Sequence, residues 1–199
     1  MGLSKEQPMD LYLLTDDTRT LPEMHHLGTT HVIPVEGNNW YAARAEAFRQ
    51  AEAGGDRRVA VVAGSVSILR CVTGDKVRPA NPNGYHGLWL YMARLAASFG
   101  HVYVAPSRWA GQLPQSGAVL SPTIPLVSVY QVKALQQVRK SWGDVGLGLA
   151  LCAAGYHSYT VGDYFYQVEG DPRKKLLDDA GSADQWLSAY VAAVNTLLE

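Results

Sequence analysis

Asp16, Asp17 and Arg19 stand together after a short apolar run, in the polar stretch Thr15-Asp16-Asp17-Thr18-Arg19-Thr20. A carboxylate accepts hydrogen bonds from ribose hydroxyls and a guanidinium forks onto phosphate, so this cluster suits a nucleotide; it equally suits a solvated turn. Asp144 precedes an apolar helical pattern. It reads either as a helix N-cap or as a general base that takes a proton from a hydroxyl. Arg173-Lys174-Lys175 follows Gly170-Asp171-Pro172. Three cations can take a diphosphate or a nucleic-acid backbone, or can simply be a solvated charge run. Arg108 and Trp109 share a long loop, where an aromatic face and a guanidinium can stack on a sugar or an unpaired base, or anchor the loop. His86 opens a helix after a Pro/Gly-rich stretch; it is read as a helix-start surface residue or, protonated, as a phosphate contact. Arg44 lies among small neighbours, Ala43 and Ala47, on a helix face. Such neighbours let a long side chain run along an apolar face.

The elements that carry these residues follow from periodicity. Apolar runs at 9–14, 30–35, 58–63, 101–105 and 124–130 read as strands. The Val-rich stretch 58–63 looks like a strand covered on both faces, as in a parallel sheet. Helical spacing predicts helices at Trp40 to Ala53, Tyr85 to Phe99, 131–140 and Asp144 to Ala154, with Gly54-Gly55, Gly100 and Gly155 as their stops. Residues 72–84 and 106–123 read as loops, 157–168 as a β pair or hairpin, and 183–198 as a last amphipathic helix. The expectation is a single α/β domain over 1–199, a mostly parallel sheet flanked by helices, with ligands outside the carboxyl ends of the strands.

Composition narrows the field. Residues of the apolar types make up 47% of the 199, enough to build one core. With 17 basic and 18 acidic side chains, net charge −1, no global field draws the chain to nucleic acid or an anionic membrane; only a local patch would. No apolar run reaches the length of a spanning helix, and the polar start, Met1 to Pro8, lacks a signal-peptide core. Cys71 and Cys152 are far apart, and the histidines show no ligand spacing. The expectation is a cytoplasmic protein without a disulfide framework. P-loop, nucleophile-elbow and dinucleotide-binding glycine motifs are absent from the sequence.

Several segments, in their order, resemble GT-A glycosyltransferases, most closely the phage-type glycosyltransferases associated with TET/JBP-like DNA hydroxylases. LYLLTDDTRT is similar to the family's nucleotide-facing start, and NNWYAARAEAFRQA to its "aRN-x-a" helix, with Ala43-Arg44 at the matching positions. RVAVVAGS is similar to the strand that runs into the acidic DxD motif, and WLYMARLAASFGHVYVAPSRWAG to the helix and strand before the acceptor-side loop. VSVYQVKALQQV and GDVGLGLALCAAGYHSYTVGDYFYQV resemble the later strand, helix and "E-D-x-x-L-x-L-x-L-x-x-G-Y" run, with Asp144, Leu149, Gly155 and Tyr156 on its positions.

The resemblance spans 9–170 and implies a nucleotide-side half over about 9–105 and an acceptor-side half over about 106–199. It implies a nucleotide-sugar donor such as a UDP-sugar, and a hydroxymethylated pyrimidine in phage DNA as acceptor. By resemblance, Asp144 is the catalytic base, the group that a transfer with inversion would need; the stereochemistry itself stays open. Asp16, Asp17, Arg19, Arg44 and Ser65 lie on the nucleotide side, with Arg44 facing the nucleotide or holding the Asp16-Asp17 loop. Arg173, Lys174 and Lys175 take the phosphates, and Arg108, Trp109 and His86 the acceptor.

One departure stands out. The family's carboxylates after the third strand hold a divalent ion; here that stretch is Ala63-Gly64-Ser65-Val66, and the next carboxylate downstream is Asp75. The acidic position before Asp144 is Gly143. Two readings stay open: a transferase that uses cations in place of a metal, and a pseudo-glycosyltransferase that kept the fold as a binding or partner protein. A nucleotidyltransferase is a third and weaker one, since it too needs carboxylates there.

Overall fold

The computed structural model describes residues 11–15, 30–34, 40–63, 66–73, 76–79, 82–106, 116–119, 126–142 and 147–168. In chain order these form β1 (Leu11–Thr15), β2 (Thr30–Pro34), α1 (Trp40–Ala53), β3 (Arg58–Val62), β4 (Val66–Thr73), β5 (Lys76–Pro79) and α2 (Pro82–Phe99). They continue with β6 (Gly100–Pro106), β7 (Gly117–Val119), β8 (Val127–Gln131), α3 (Val132–Gln137), α4 (Leu147–Ala153) and β9 (His157–Val168). Pro82 begins α2, where its missing N–H costs nothing.

The expectation of a mostly parallel, Rossmann-like sheet is overturned. β3, β8, β6, β9, β4 and β5 lie side by side in that order in a seven-stranded sheet, with β7 added on β9. Within it only β6 and β9 pair in parallel; the β3–β8, β8–β6, β9–β4, β4–β5 and β7–β9 ladders are all antiparallel. β1 and β2 form a separate parallel pair. The expectation that the Val-rich stretch 58–63 is covered on both faces is overturned as well: β3 is an end strand with one face open, Val61 buried while Ala60 and Val62 are exposed. The strands buried on both faces are β6 and β8, and β8 is antiparallel to both its neighbours, so covered faces do not require parallel ones.

Two further corrections are local. Part of the predicted loop 72–84 is strand: β4 and β5 form a hairpin. The predicted pair at 157–168 is one strand, β9. Its register against β6 jumps from Val104↔Val161 to Ala105↔Phe165, so Gly162, Asp163 and Tyr164 bulge instead of turning back.

Strand alternation gives the sheet two covered faces. On one, Val102, Val104, Val129 and Val161 pack against Leu88, Met92 and Ala96 of α2. On the other, Val61 and Tyr130 pack against Ala45, Ala47 and Phe48 of α1, Leu135 of α3, and Leu147 and Leu151 of α4. Phe48 meets Tyr130 and Trp142 edge-on, at centroid distances of 4.9 and 5.6 Å. Helices α1 and α4 end alike. Gly55 and Gly155 take positive φ, and the next amide reaches back five residues, Asp56 to Ala51 and Tyr156 to Leu151.

Candidate functional site at the carboxyl ends of three strands

The register fixes which strand ends share an edge. Arg58 of β3 pairs with Gln131, His101 of β6 with Tyr130, and Gly100 with His157 of β9. β3, β6 and β9 therefore run in one direction. Helices α1, α2 and α4 each pack on the strand that follows them and end where it begins. Their amino ends thus lie toward the edge where β3, β6 and β9 finish.

Several of the described strand and helix ends at that edge adjoin nominated residues in sequence. β3 ends at Val62, shortly before Ser65 in sequence, and β6 at Pro106, shortly before Arg108 and Trp109. β9 ends at Val168, five residues before Arg173. His86 belongs to the first turns of α2, and Arg44 to those of α1. Asp144 stands between Trp142 and the start of α4. Asp16, Asp17, Arg19, Ser65, Arg108, Trp109, Asp144, Arg173, Lys174 and Lys175 themselves lie outside the described residues, as does the predicted helix 183–198.

Arg44 is the nominated residue with the fullest geometry. Its side chain is turned into the core, 1% exposed. Nη2 donates to the Trp142 carbonyl at 2.8 Å. The guanidinium carbon stands 5.3 Å from the Tyr41 ring centroid and 5.9 Å from that of Phe48. Trp142 in turn donates its indole N–H to the Leu135 carbonyl at 2.8 Å. Arg139 and Glu52 form an ion pair that also joins this region to α1. Sequence reading nominated Arg44 without its partners; an Arg amid small apolar helix neighbours was the available signal.

Beside Arg44 lies a polar group that no motif announced. His101 places Nδ1 2.9 Å from Ser158 Oγ and Nε2 3.2 Å from Ser128 Oγ. Its ring stacks on Tyr130, centroids 4.5 Å apart and planes 8° from parallel. Each serine hydroxyl can donate or accept, so these contacts suit the neutral imidazole, one ring nitrogen donating and the other accepting. Burial first, and then the Arg44 charge, hold its pKa down at about 3. Burial pushes the Tyr130 phenol up, against the pull of Arg44. Ser128 inside the apolar run IPLVSVY was the visible sign of this cluster.

The sign of the pH effect follows. The unfolded imidazole takes a proton near pH 6.5, and the folded one only near 3. The contribution to stability is complete above 6.5 and drains as pH falls from there toward 3, by at most about 1.4 kcal/mol per pH unit. His101→Phe keeps a ring against Tyr130 but cannot titrate. Urea unfolding is expected to show that slope in the wild type and its loss in the variant, with about 1–3 kcal/mol lost at pH 7 from the stranded Ser158 hydroxyl. Parallel acid profiles for both proteins would remove His101 from the explanation.

The opposite edge carries an open depression of about 510 Å³, lined by Glu52, Asp56, Arg57, Arg58, Gln131 and Lys133, among others. Its charges are mixed, and none of its residues was nominated from sequence. Among the described residues, no three His, Cys, Asp or Glu side chains cluster as a metal site. No described helix is long and apolar enough to cross a membrane.

No family model matches the chain. None of the curated proteins matches it either. Among solved structures it is similar to the crystal structure of A197 from STIV, with a TM-score of 0.47 and 11% identity, over 82% of this chain and 86% of that one.

Proposed function

We propose that this protein binds a nucleotide-sugar along the edge where β3, β6 and β9 end, and transfers the sugar to a hydroxyl acceptor. The observation that carries this reading is the common direction of those three strands, whose carboxyl ends lead in sequence to Ser65, to Arg108 and Trp109, and to Arg173-Lys174-Lys175. Ligands favour the carboxyl ends of parallel strands in α/β sheets, and in this mixed sheet β6 and β9 are the adjacent pair to which that rule applies.

In this reading Asp16, Asp17 and Arg19 hold the nucleotide, and Arg173, Lys174 and Lys175 hold the diphosphate. Arg108, Trp109 and His86 face the acceptor. The acceptor oxygen attacks the anomeric carbon as the bond to the diphosphate breaks, and the leaving diphosphate keeps that electron pair. Asp144 takes the acceptor proton. The cations offset charge that builds on the leaving group. The sequence from Arg57 to Gly74 holds no carboxylate, so the chain offers no donor set there for a divalent ion, and no step passes through one.

The acceptor proposed is a hydroxymethylated pyrimidine in DNA, reached through a local patch. Arg57, Arg58 and Lys133 lie at the opposite edge and do not serve that patch. The same lack of carboxylates favours a second reading, a nucleotide-binding relic that acts as a partner protein.

The test is mass spectrometry of hydroxymethylpyrimidine DNA incubated with the protein and a panel of nucleotide-sugars, in EDTA and in manganese. Transfer in EDTA is the expected result. Nucleotide binding with neither transfer nor hydrolysis would leave the partner reading in its place.

A further inference from the structure

We infer that Arg44 is a positioning residue for the stretch that carries Asp144, and not a contact to the nucleotide. The functional part of this inference rests on the glycosyl-transfer reading; the structural part does not. A side chain 1% exposed presents almost no surface to a ligand. Its Nη2 instead holds the carbonyl of Trp142, the last described residue before 143–146.

Trp142 is fixed from three directions. Its carbonyl is held from α1 by Arg44, its indole N–H is bound to Leu135 of α3, and its ring meets Phe48 edge-on at 5.6 Å. On the far side of 143–146, Leu147 opens α4 with its side chain 1% exposed. Asp144 is two residues from Trp142, a span of at most about 7 Å between Cα atoms. Arg44 therefore controls one of the two anchors between which Asp144 must sit. A rigid anchor matters for a base, because a displacement of about 1 Å at a reacting group can cost about 10²-fold in rate.

The chemistry of the side chain adds a requirement. The flat guanidinium reaches the Trp142 carbonyl through Nη2 while lying beside the Tyr41 and Phe48 rings, a combination that a compact ammonium cannot reproduce. Arg44→Lys keeps the charge with poorer geometry, and Arg44→Met keeps the apolar length without either.

The experiment uses both variants in the full chain, with three readouts: amide hydrogen exchange, nucleotide-sugar affinity and turnover. Arg44→Met is expected to speed exchange across 142–147 about tenfold more than in β6. Affinity is expected to stay within about twofold while turnover falls about 10²-fold, with Arg44→Lys in between. A matched loss of affinity and turnover would mark Arg44 as a nucleotide contact and overturn the inference. Equal acceleration of exchange in β6 and at 142–147 would reduce it to ordinary core packing and also overturn it. If the wild type has no turnover but exchange rises locally at 142–147, positioning stands and the transfer reading fails. Should the Met variant not fold, the Lys variant carries the same readouts.

Discussion

Asp144→Asn is expected to lower sugar transfer by about 10²–10⁴-fold while leaving nucleotide-sugar affinity and stability near the wild type. The choice of Asn separates the two meanings of this residue. Asn caps a helix about as well as Asp, so a residue that only caps would show little change. The carboxamide cannot accept the proton of an attacking hydroxyl, so a residue that works as the base would lose the chemical step. Asp144→Ala removes both roles, and its added stability loss is expected to be about 1 kcal/mol if the cap is real. Single-turnover rates and calorimetric affinities for the two variants provide the check. Turnover within a few-fold of wild type in Asp144→Asn would remove Asp144 as the base.

The largest effect on stability is expected from Gly100→Ala, at the junction of α2 and β6. Gly100 has φ of 84°, where a side chain crowds its own backbone. A Cβ there would also meet the Tyr156 ring at 2.6 Å and its Cβ at 2.9 Å. Backbone strain and overpacking together are expected to cost about 3–5 kcal/mol. Gly155 is a built-in control. Its φ is 86°, but a Cβ there meets nothing within 4 Å, so Gly155→Ala is expected to cost only about 1–2 kcal/mol. Equal urea midpoints for the two variants would mean that the Tyr156 ring gives way freely.

Tyr156 and Gly100 also illustrate what sequence could and could not reveal. Gly100 was readable as a helix stop because the apolar spacing of α2 ends at Phe99. Its second duty, clearing room for a ring 56 positions later in the chain, leaves no local trace. α1 was readable from end to end, since Trp40, Ala43, Ala47, Phe48 and Ala51 recur on one face and Gly54-Gly55 follows.

Strand direction was not readable. Apolar runs in β6 and β8 record two covered faces, and the run in β3 does not record even that, since Ala60 and Val62 are exposed; the direction of a neighbour is set by how the chain returns. β8 runs against both β3 and β6, and that alone reverses two ladders of the expected sheet. Punctuation misled twice. Gly74-Asp75, inside a stretch read wholly as loop, separates the short strands β4 and β5, while Gly162-Asp163, which resembles a hairpin turn, is absorbed as a bulge within β9.

For the site, residue types were readable and their partners were not. Arg44 could be picked from its helix face, yet the carbonyl it holds belongs to a residue 98 positions away. Asp144 and the basic run at Arg173 were nominated by type and order, and both lie outside the described residues. The His101 cluster shows the opposite case. Three polar side chains on three strands meet only after β6, β8 and β9 are in register, and they serve the core between the proposed edge and the opposite one.

The most direct measurement is amide hydrogen exchange of the wild-type chain with and without UDP-glucose, run in EDTA and again in manganese. Protection is expected at the carboxyl ends of β3, β6 and β9 and in the first turns of α1 and α2, and it is expected to be present in EDTA. Protection confined to Arg57, Arg58 and Gln131 to Lys133 at the other edge, or no protection in either buffer, would contradict the proposed site.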